Sequence, residues 1–561
     1  MIKQEAVRLL KQSGIDANIE MLEVPPKEEM GDVSFPCFEL AKIKKANPTI
    51  IASEICAKLK PQISGSALIL NVVAIGGYVN FFARKMVLAE KVLRNIIQQG
   101  NDYGKSIRSN EKVMIEFSQA NTHKAFHVGH IRGTSLGESL ARIFEFCGDN
   151  VTRVNYQGDK GMHVAKWIWC YKNFHKREKP KRDEAWVAGI YVEAVRRLEE
   201  HPELQKQVDE INKDLEEGKD KRLAKIWQET RRLSLSSFEK IYKELNTHFD
   251  NYFFESQMDK RGKQLVQELI KYNIAKVSDG AVIVDLESHG LGVWVLLRKD
   301  GTVLYSAKDL ALAEKKFKDF KIDKAVYVVG NEQRLHFMQL FKTLELMDFK
   351  ESSKCHYVPV SEIRLPTGKM SSRTGNNVLY SEFKQEVVDF ATDQLKQRYK
   401  LKAAELKKRA LAIAIASIKY SMLKQDTNKT IVFDKEEALR FEGDTGPYLL
   451  YGYARAKSIL KKANYNPDRK FEAGHITDLE KSLISHLGSF PDAVFQAFNN
   501  LAPNIIANYA YKLVQVFNEF YHETHVIGSK DEKFMLVLVD CFTQVLKNAL
   551  HLLGINVIEK M

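Results

Sequence analysis

A chain of 561 residues, 44% hydrophobic and 28% charged, has the composition of an ordinary soluble protein and is long enough for more than one domain. Its formal net charge of +13 points to a polyanionic partner, although a merely basic surface would give the same number. The cysteines Cys37, Cys56, Cys147, Cys170, Cys355 and Cys541 stand apart with no C-x-x-C pair, which argues against a zinc ribbon or disulfide framework and suits a reducing cytoplasm. The opening MIKQEAVRLLKQSG mixes acids and bases along an amphipathic helix, unlike a signal peptide, and no apolar run approaches the length of a membrane span.

In chain order, residues 1–105 read as a small α+β unit. Ile2, Ala6, Val7, Leu9 and Leu10 form one helical face, and Pro25-Pro26 and Met30-Gly31-Asp32 punctuate a loop. Helices are expected at Phe38 to Lys45 and Pro48 to Leu59. Strands are expected at Ala67 to Val73 and Tyr78 to Phe82, around a Gly76-Gly77 turn. Gln99 to Gly104 reads as a linker. The apolar run Val113 to Phe117 then predicts a buried strand, Ser118 to Lys124 a polar loop, and Leu136, Leu140, Ile143, Phe144 and Cys147 the apolar face of a helix that Gly148 stops. Val151 to Tyr156 predicts the next strand, so the unit implies a right-handed crossover in a parallel sheet. From about Met162 to Leu245 the chain turns helical and densely charged, which reads as a solvated surface.

Strand patterns return at Ala281 to Val284, Gly292 to Arg298, Val303 to Tyr305, Ala325 to Val329 and Val358 to Ile363, with a helix from about Gln333 to Met347. Strands alternating with helices on both sides of an insertion (about 162–250) indicate one α/β domain over about 106–380. Beyond it, helical periodicity at Leu411 to Met422, Gly446 to Ala463, Leu479 to Ala497, Asn504 to His522 and Lys533 to Leu553 predicts an all-α bundle over 381–561.

Chemistry concentrates at two places. His127-Val128-Gly129-His130 falls between a strand and a helix, where ligands of parallel sheets bind. Gly129 leaves room for a flat adenine. His127 and His130 can donate to phosphate oxygens, more strongly if protonated, and the helix N-terminus adds a dipole that favours an anion. The second place is Pro366 to Asn376, PTGKMSSRTGN, a loop with Lys369 and Arg373 suited to hold a triphosphate. Each motif alone has a bland reading, chance for H-x-G-H and a basic surface turn for the loop.

Together, HVGH early in a Rossmann-like domain and KMSSR after its last strand resemble the two signatures of class I aminoacyl-tRNA synthetases. Within that class the chain resembles the arginyl-tRNA synthetases over nearly its whole length, through EMGDVSFPCFELAK, GGYVNFFA, EFSQANTHKAFHVGHIRGTSLGESLARI, YSAKDLA, VVGNEQRLHFMQLF and GDTGPYLLYGYARAKSIL. The resemblance implies an α/β Rossmann-like catalytic domain, an N-terminal additional tRNA-binding domain and a C-terminal helical anticodon-binding domain. It implies ATP-dependent formation of arginyl-adenylate and transfer of arginine to tRNA(Arg), with Mg2+ arriving on ATP and no dedicated protein site for it.

By the resemblance, His127, Gly129, His130, Lys369 and Met370 bind ATP, with His127, His130, Lys124, Lys369 and Arg373 catalytic. Glu116, Gln119, Asn121, Glu255, Tyr305, Asp309 and Gln333 take arginine, whose guanidinium calls for carboxylates in forked hydrogen bonds. Asn80, Phe81, Tyr448, Tyr451 and Arg455 are the tRNA candidates. Gln119-Ala120 departs from the pattern usual before Asn121. Ser372 stands where many class I enzymes place a lysine, and the terminus Val557 to Met561 is a variant ending. No metal site of the protein's own, no membrane association and a cytoplasmic monomer are the remaining expectations. A synthetase for another amino acid, a small-molecule ligase of the same superfamily and a non-catalytic tRNA-binding paralogue stay open.

Overall fold

The computed structural model describes residues 1–105, 109–366, 368–369, 378–466, 471 and 474–561. By packing, the chain forms two units. One comprises residues 1–103, 455–491 and 512–546, the other 104–454, 492–511 and 547–561.

In the first unit, β1 (Val33–Pro36), β2 (Ile69–Ile75) and β3 (Tyr78–Ala83) form an antiparallel sheet with β3 in the middle. The hairpin β2-β3 turns at Gly76-Gly77 as expected, and α1 (Ile2–Gln12), α2 (Phe38–Lys44) and α3 (Pro48–Ile63) supply the rest of the core. Strand β1 escapes the sequence reading because it is four residues long and ends in proline. Asn80 and Phe81 are 3% and 0% exposed on the central strand, and Asn80 accepts a hydrogen bond from Ser34. Both are therefore packed within the unit, and neither presents a free side chain at its surface. The helix α4 (Lys85–Gln99), also unforeseen, packs on the helix Asp478–Gly488, with Lys85 Nζ 2.6 Å from Asp478.

The second unit is built on a five-stranded parallel sheet. Its strands are β4 (Lys112–Glu116), β5 (Asn150–Gln157), β6 (Asn251–Phe254), β10 (Lys324–Gly330) and β11 (Cys355–Val360), in the spatial order β11-β10-β4-β5-β6. Strand order reverses between β4 and β10, so the crevice beyond their carboxyl ends is where such a sheet takes its ligand. The strands β7 (Ala275–Ser278), β8 (Ala281–Asp285) and β9 (Val293–Leu297) form a separate antiparallel sheet.

Helix α5 (Val128–Phe146) follows β4, and its predicted face of Leu136, Leu140, Ile143, Phe144 and Cys147 is buried. Gly148 stops it at φ +97°, a conformation that costs a residue with a Cβ. Arg132, fully buried, donates to the carbonyls of Ser361, Lys429 and Asp426 at 2.7 to 2.9 Å and ties α5 to the chain beyond β11.

The charged insertion folds as α6 (Met162–Cys170), α7 (Glu184–Glu200), α8 (Gln205–Glu217) and α9 (Lys221–Glu244). It has a core of its own around Trp167, Trp169, Ile190, Val208 and Leu223. Helices α10 (Glu255–Lys271), α11 (Tyr305–Phe320) and α12 (Arg334–Leu346) complete the α/β part, and α13 (Tyr380–Arg398) and α14 (Ala403–Leu423) follow. Tyr305 thus opens a helix rather than ending a strand. Further along, helices span Gly446–Lys462, Phe490–Asn499, Asn504–Glu523 and Glu532–Leu552. The last passes for a membrane span by length and composition alone, but Asp540 and Lys547 interrupt it and most of it is buried, including Leu538, Phe542 and Leu546.

Candidate active site

The loop from β4 to α5 is wound tightly. Ser118, Gln119 and His123 adopt φ of +78°, +43° and +62°, each in the left-handed region. Such residues cost of order 1 kcal/mol or more apiece and persist where surrounding bonds hold them. Here Ser118 Oγ is 3.1 Å from Tyr242 Oη, Thr122 N–H donates to Gly158 O at 3.1 Å and His123 N–H to Ser234 Oγ at 3.0 Å. The His123 ring bonds Thr122 and Thr230 and lies edge-on to Trp167, so the insertion's core braces the loop.

Burial pushes the His123 imidazole down to about 3. In the unfolded chain the group titrates near 6.5, so between pH 6.5 and 3 the unfolded state binds more protons and stability falls as pH falls. The expected slope from this residue approaches about 1.4 kcal/mol per pH unit. Thermal melts from pH 7 to 4 should show it, and His123→Gln should flatten the dependence. An unchanged slope in that variant would refute the assignment.

At the start of α5 the two signature histidines cap the helix reciprocally. His127 Nδ1 accepts from Gly129 N–H at 3.1 Å, and His130 Nδ1 accepts from His127 N–H at 3.2 Å. A ring nitrogen that accepts carries no proton, so each ring is neutral with its proton on Nε2. Burial lowers His127 to about 4 and His130 well below its ordinary value, and the Lys124 charge adds to both shifts. Of the two forms the sequence left open, the neutral one is present: the rings offer N–H dipoles, not charges. Gly129 is needed by the cap itself, because a Cβ there would lie 2.8 Å from the His127 ring.

Lys124 is half-buried, with Nζ 5.6 Å from the centre of the Tyr191 ring. The flank of the second signature meets the first directly: Leu379 pairs with His127, Val128 N–H donates to Val378 O at 3.3 Å and Tyr380 N–H to Phe126 O at 3.0 Å. Met370 and Arg373 lie outside the described residues, and Lys369 is described only by its backbone, paired with Arg364.

The residues expected to take arginine are partly assembled around Tyr156, at the end of β5. Its buried hydroxyl has no hydrogen-bond partner, and burial together with the charges of Asp309, Glu255, Glu116 and Asp259 pushes it well above its ordinary value. Asn121 Oδ1 accepts from Gly158 N–H at 3.0 Å, and a Cβ on Gly158 would lie 3.1 Å from Glu255 Oε1, so Asn121 and Glu255 meet there. Lys308 bridges Glu255 and Asp259 at 3.4 and 3.1 Å. Glu116 is already paired, 2.6 Å from the buried Lys316, and accepts from Gln119 at 3.4 Å.

Asp309 Oδ2 lies 2.7 Å from His336 Nε2, while its buried Oδ1 has no partner. Trp294 donates to His336 Nδ1 at 3.3 Å, which fixes the His336 proton on Nε2, toward Asp309. Tyr305 is 55% exposed with its ring 4.8 Å from that of His336, and Gln333 is exposed beyond the end of β10. Four carboxylates against two ammonium groups leave the pocket negative, the polarity a guanidinium requires. Tyr156, Lys316 and His336 were missed from sequence: no local motif marks them, and only the fold brings them to the carboxylates.

Of the remaining candidates, Tyr448 is half-buried against Tyr511 at 5.7 Å, Tyr451 is half-buried, and Arg455 donates to Asn518 at 2.6 Å and stacks over Tyr521 at 4.8 Å. Among the described residues, Cys170, His175 and Glu193 lie close enough to share a metal, but both His175 nitrogens are taken by Glu178 and Glu193, at 2.7 and 2.8 Å.

A parallel sheet whose first crossover carries the capped histidine pair, in a chain that also carries the second signature motif, defines the catalytic domain of a class I aminoacyl-tRNA synthetase. Residues 92–435 match the family described as tRNA synthetases class I (R), catalytic domain, residues 449–561 the DALR anticodon binding domain and residues 1–83 the arginyl tRNA synthetase N terminal domain. The arginine–tRNA ligase of Clostridium perfringens is 36% identical over 97% of this chain and 96% of its own, and that of Bdellovibrio bacteriovorus 35% over 100% of both. The Thermus thermophilus arginyl-tRNA synthetase structure aligns with a TM-score of 0.83 at 26% identity, covering 100% of this chain and 99% of that one. The chain belongs to the arginyl-tRNA synthetase family.

Proposed function

We propose that this chain activates L-arginine with ATP and transfers it to the 3′ end of tRNA(Arg). The arginine carboxylate attacks the α-phosphorus of ATP, the bond to the β-phosphate breaks, and arginyl-adenylate and pyrophosphate result; a terminal ribose hydroxyl then takes the arginyl group and releases AMP. The observation that carries this reading is Asp309 Oδ1, a buried carboxylate oxygen left without a partner in a negative pocket, because a guanidinium supplies the missing donor. Asp309, with Glu255 and Tyr305, takes the guanidinium. Asn121, Gln119 and Gln333 orient the amino-acid end, and Glu116 acts as one partner of the Lys316 pair that shapes the pocket floor.

His127 and His130 give Nε2–H donors to the phosphates, Gly129 and Met370 seat the adenine, and Lys124, Lys369 and Arg373 supply positive charge. Catalysis is then positioning and electrostatic stabilisation at the phosphorus. Mg2+ travels with ATP, its ligands mainly phosphate oxygens and water. The +13 charge and the anticodon-binding-type region supply the grip on tRNA, with Tyr448, Tyr451 and Arg455 as its candidates. ATP–pyrophosphate exchange measured with each amino acid, with and without tRNA, should give turnover with L-arginine alone among them. Exchange driven by another amino acid, or by none, would displace the reading.

A further inference from the structure

We propose that Glu184, in the helical insertion, is a positioning residue for the histidine pair, acting through the first turn of α13. The proposal rests on the reading of His127 and His130 given above. Glu184 opens α7 and is 7% exposed. Its Oε2 accepts from Ser381 N–H at 3.2 Å, and its Oε1, also buried, has no partner. Helix α13 has no side-chain cap at its own N-cap residue, Leu379. The first N–H groups of a helix need an acceptor and favour an anion, and a carboxylate from another element meets that need here.

What α13 carries on its leading edge is the second strand of the histidine site. Val378, Leu379 and Tyr380 pair with Phe126, His127 and Val128 through the two backbone hydrogen bonds and the bridge described above. Side chains repeat the connection: the Tyr380 ring lies 6.0 Å from Phe126, whose ring is 5.0 Å from His130. A second carboxylate of the insertion, Glu244 on α9, accepts from Tyr380 Oη at 3.0 Å and pairs with Lys384 at 2.8 Å. The insertion therefore grips one residue, Tyr380, by its hydroxyl and by the backbone beside it.

Stability alone is a poor account of Glu184. Burial raises its carboxyl to about 7, so holding it there as an anion costs free energy that a neutral side chain would not. A fixed acceptor at α13 instead sets the register of residues 378–380 against the histidines. An error of an ångström in that register would misdirect both Nε2–H donors.

The test uses the full-length chain in ATP–pyrophosphate exchange with arginine and tRNA. Glu184→Ala should lower kcat about 10-fold with the KM for arginine unchanged, and Glu184→Gln should return it to within about threefold, since the amide oxygen still accepts from Ser381. In a His130→Ala background, Glu184→Ala should cost less than about a further twofold, because both substitutions remove the same interaction. A glutamine variant as slow as alanine, or a full tenfold loss repeated in the His130→Ala background, overturns the proposal. If Glu184→Ala does not fold, Tyr380→Phe, which releases the Glu244 side of the joint, replaces it in the same double-mutant comparison, and strict additivity overturns the proposal there too. Should His130→Ala by itself leave kcat untouched, the assignment of the histidines fails, and this one with it; additive losses beside an impaired His130→Ala strike Glu184 alone.

Discussion

Replacing Asp309 by asparagine is expected to weaken arginine binding by about 2–4 kcal/mol, roughly 30- to 1000-fold, with ATP binding nearly unchanged. The geometry makes this nominally conservative change severe. Trp294 N–H occupies His336 Nδ1, so His336 presents Nε2–H to Asp309 and demands an acceptor. The asparagine carbonyl must therefore turn to His336, and its NH2 takes the place of the unpartnered Oδ1. A donor would then face the guanidinium where an anion faced it before. Charge is lost, and two donors are left opposed in a buried site. Binding of L-arginine and of ATP, measured separately by calorimetry or by KM in exchange, distinguishes this from misfolding. Equal losses for the two ligands would end the assignment of Asp309.

That pocket also shows how far the sequence could be read. HVGH was legible because its chemistry is local: two ring nitrogens and two backbone N–H groups within four consecutive residues close the cap. The carboxylates Glu116, Glu255 and Asp309 could be nominated only through the resemblance, since nothing in their spacing brings β4, α10 and α11 together. Their partners Lys316 and His336 were not nominated at all, although Lys316 lies 2.6 Å from Glu116 and His336 2.7 Å from Asp309.

Elsewhere the period of two along Tyr78 to Phe82 marked a strand correctly. It could not show the short β1, which together with β2 flanks it on both edges and buries Asn80. Strand β6, four residues between two charged helices, carries too short a pattern to stand out, yet it completes the sheet edge from which Glu255 projects.

Removal of the Lys124 side chain should lower turnover about 100-fold or more, the scale of losing one donor that acts in the transition state, with little change in arginine affinity. His127 and His130 are held neutral, so in the proposed reaction, where charge builds on phosphate oxygens, they offer dipoles only. A full positive charge is needed nearby. In the second signature Ser372 stands where many class I synthetases carry a lysine, so that source is missing from the sequence. Lys124 sits three residues before His127, half-buried; burial chiefly lowers His127, His130 and His163, and the Lys124 charge adds to each.

A lysine whose charge reaches three buried imidazoles is electrostatically coupled to them in a way that a solvated loop lysine is not. The insertion keeps it there, with the Tyr191 ring face 5.6 Å from the ammonium and burial lowering its own pKa. Single-turnover adenylate formation by Lys124→Ala isolates the chemical step from tRNA release. Adding Ser372→Lys should recover part of the loss by restoring a cation to the second signature. In the single variant His127 and His130 should also titrate at higher pH, since a repelling charge is gone, and NMR of the imidazole resonances reads that independently of rate. A Lys124→Ala enzyme with near-normal turnover and unmoved histidine titrations would remove Lys124 from the machinery.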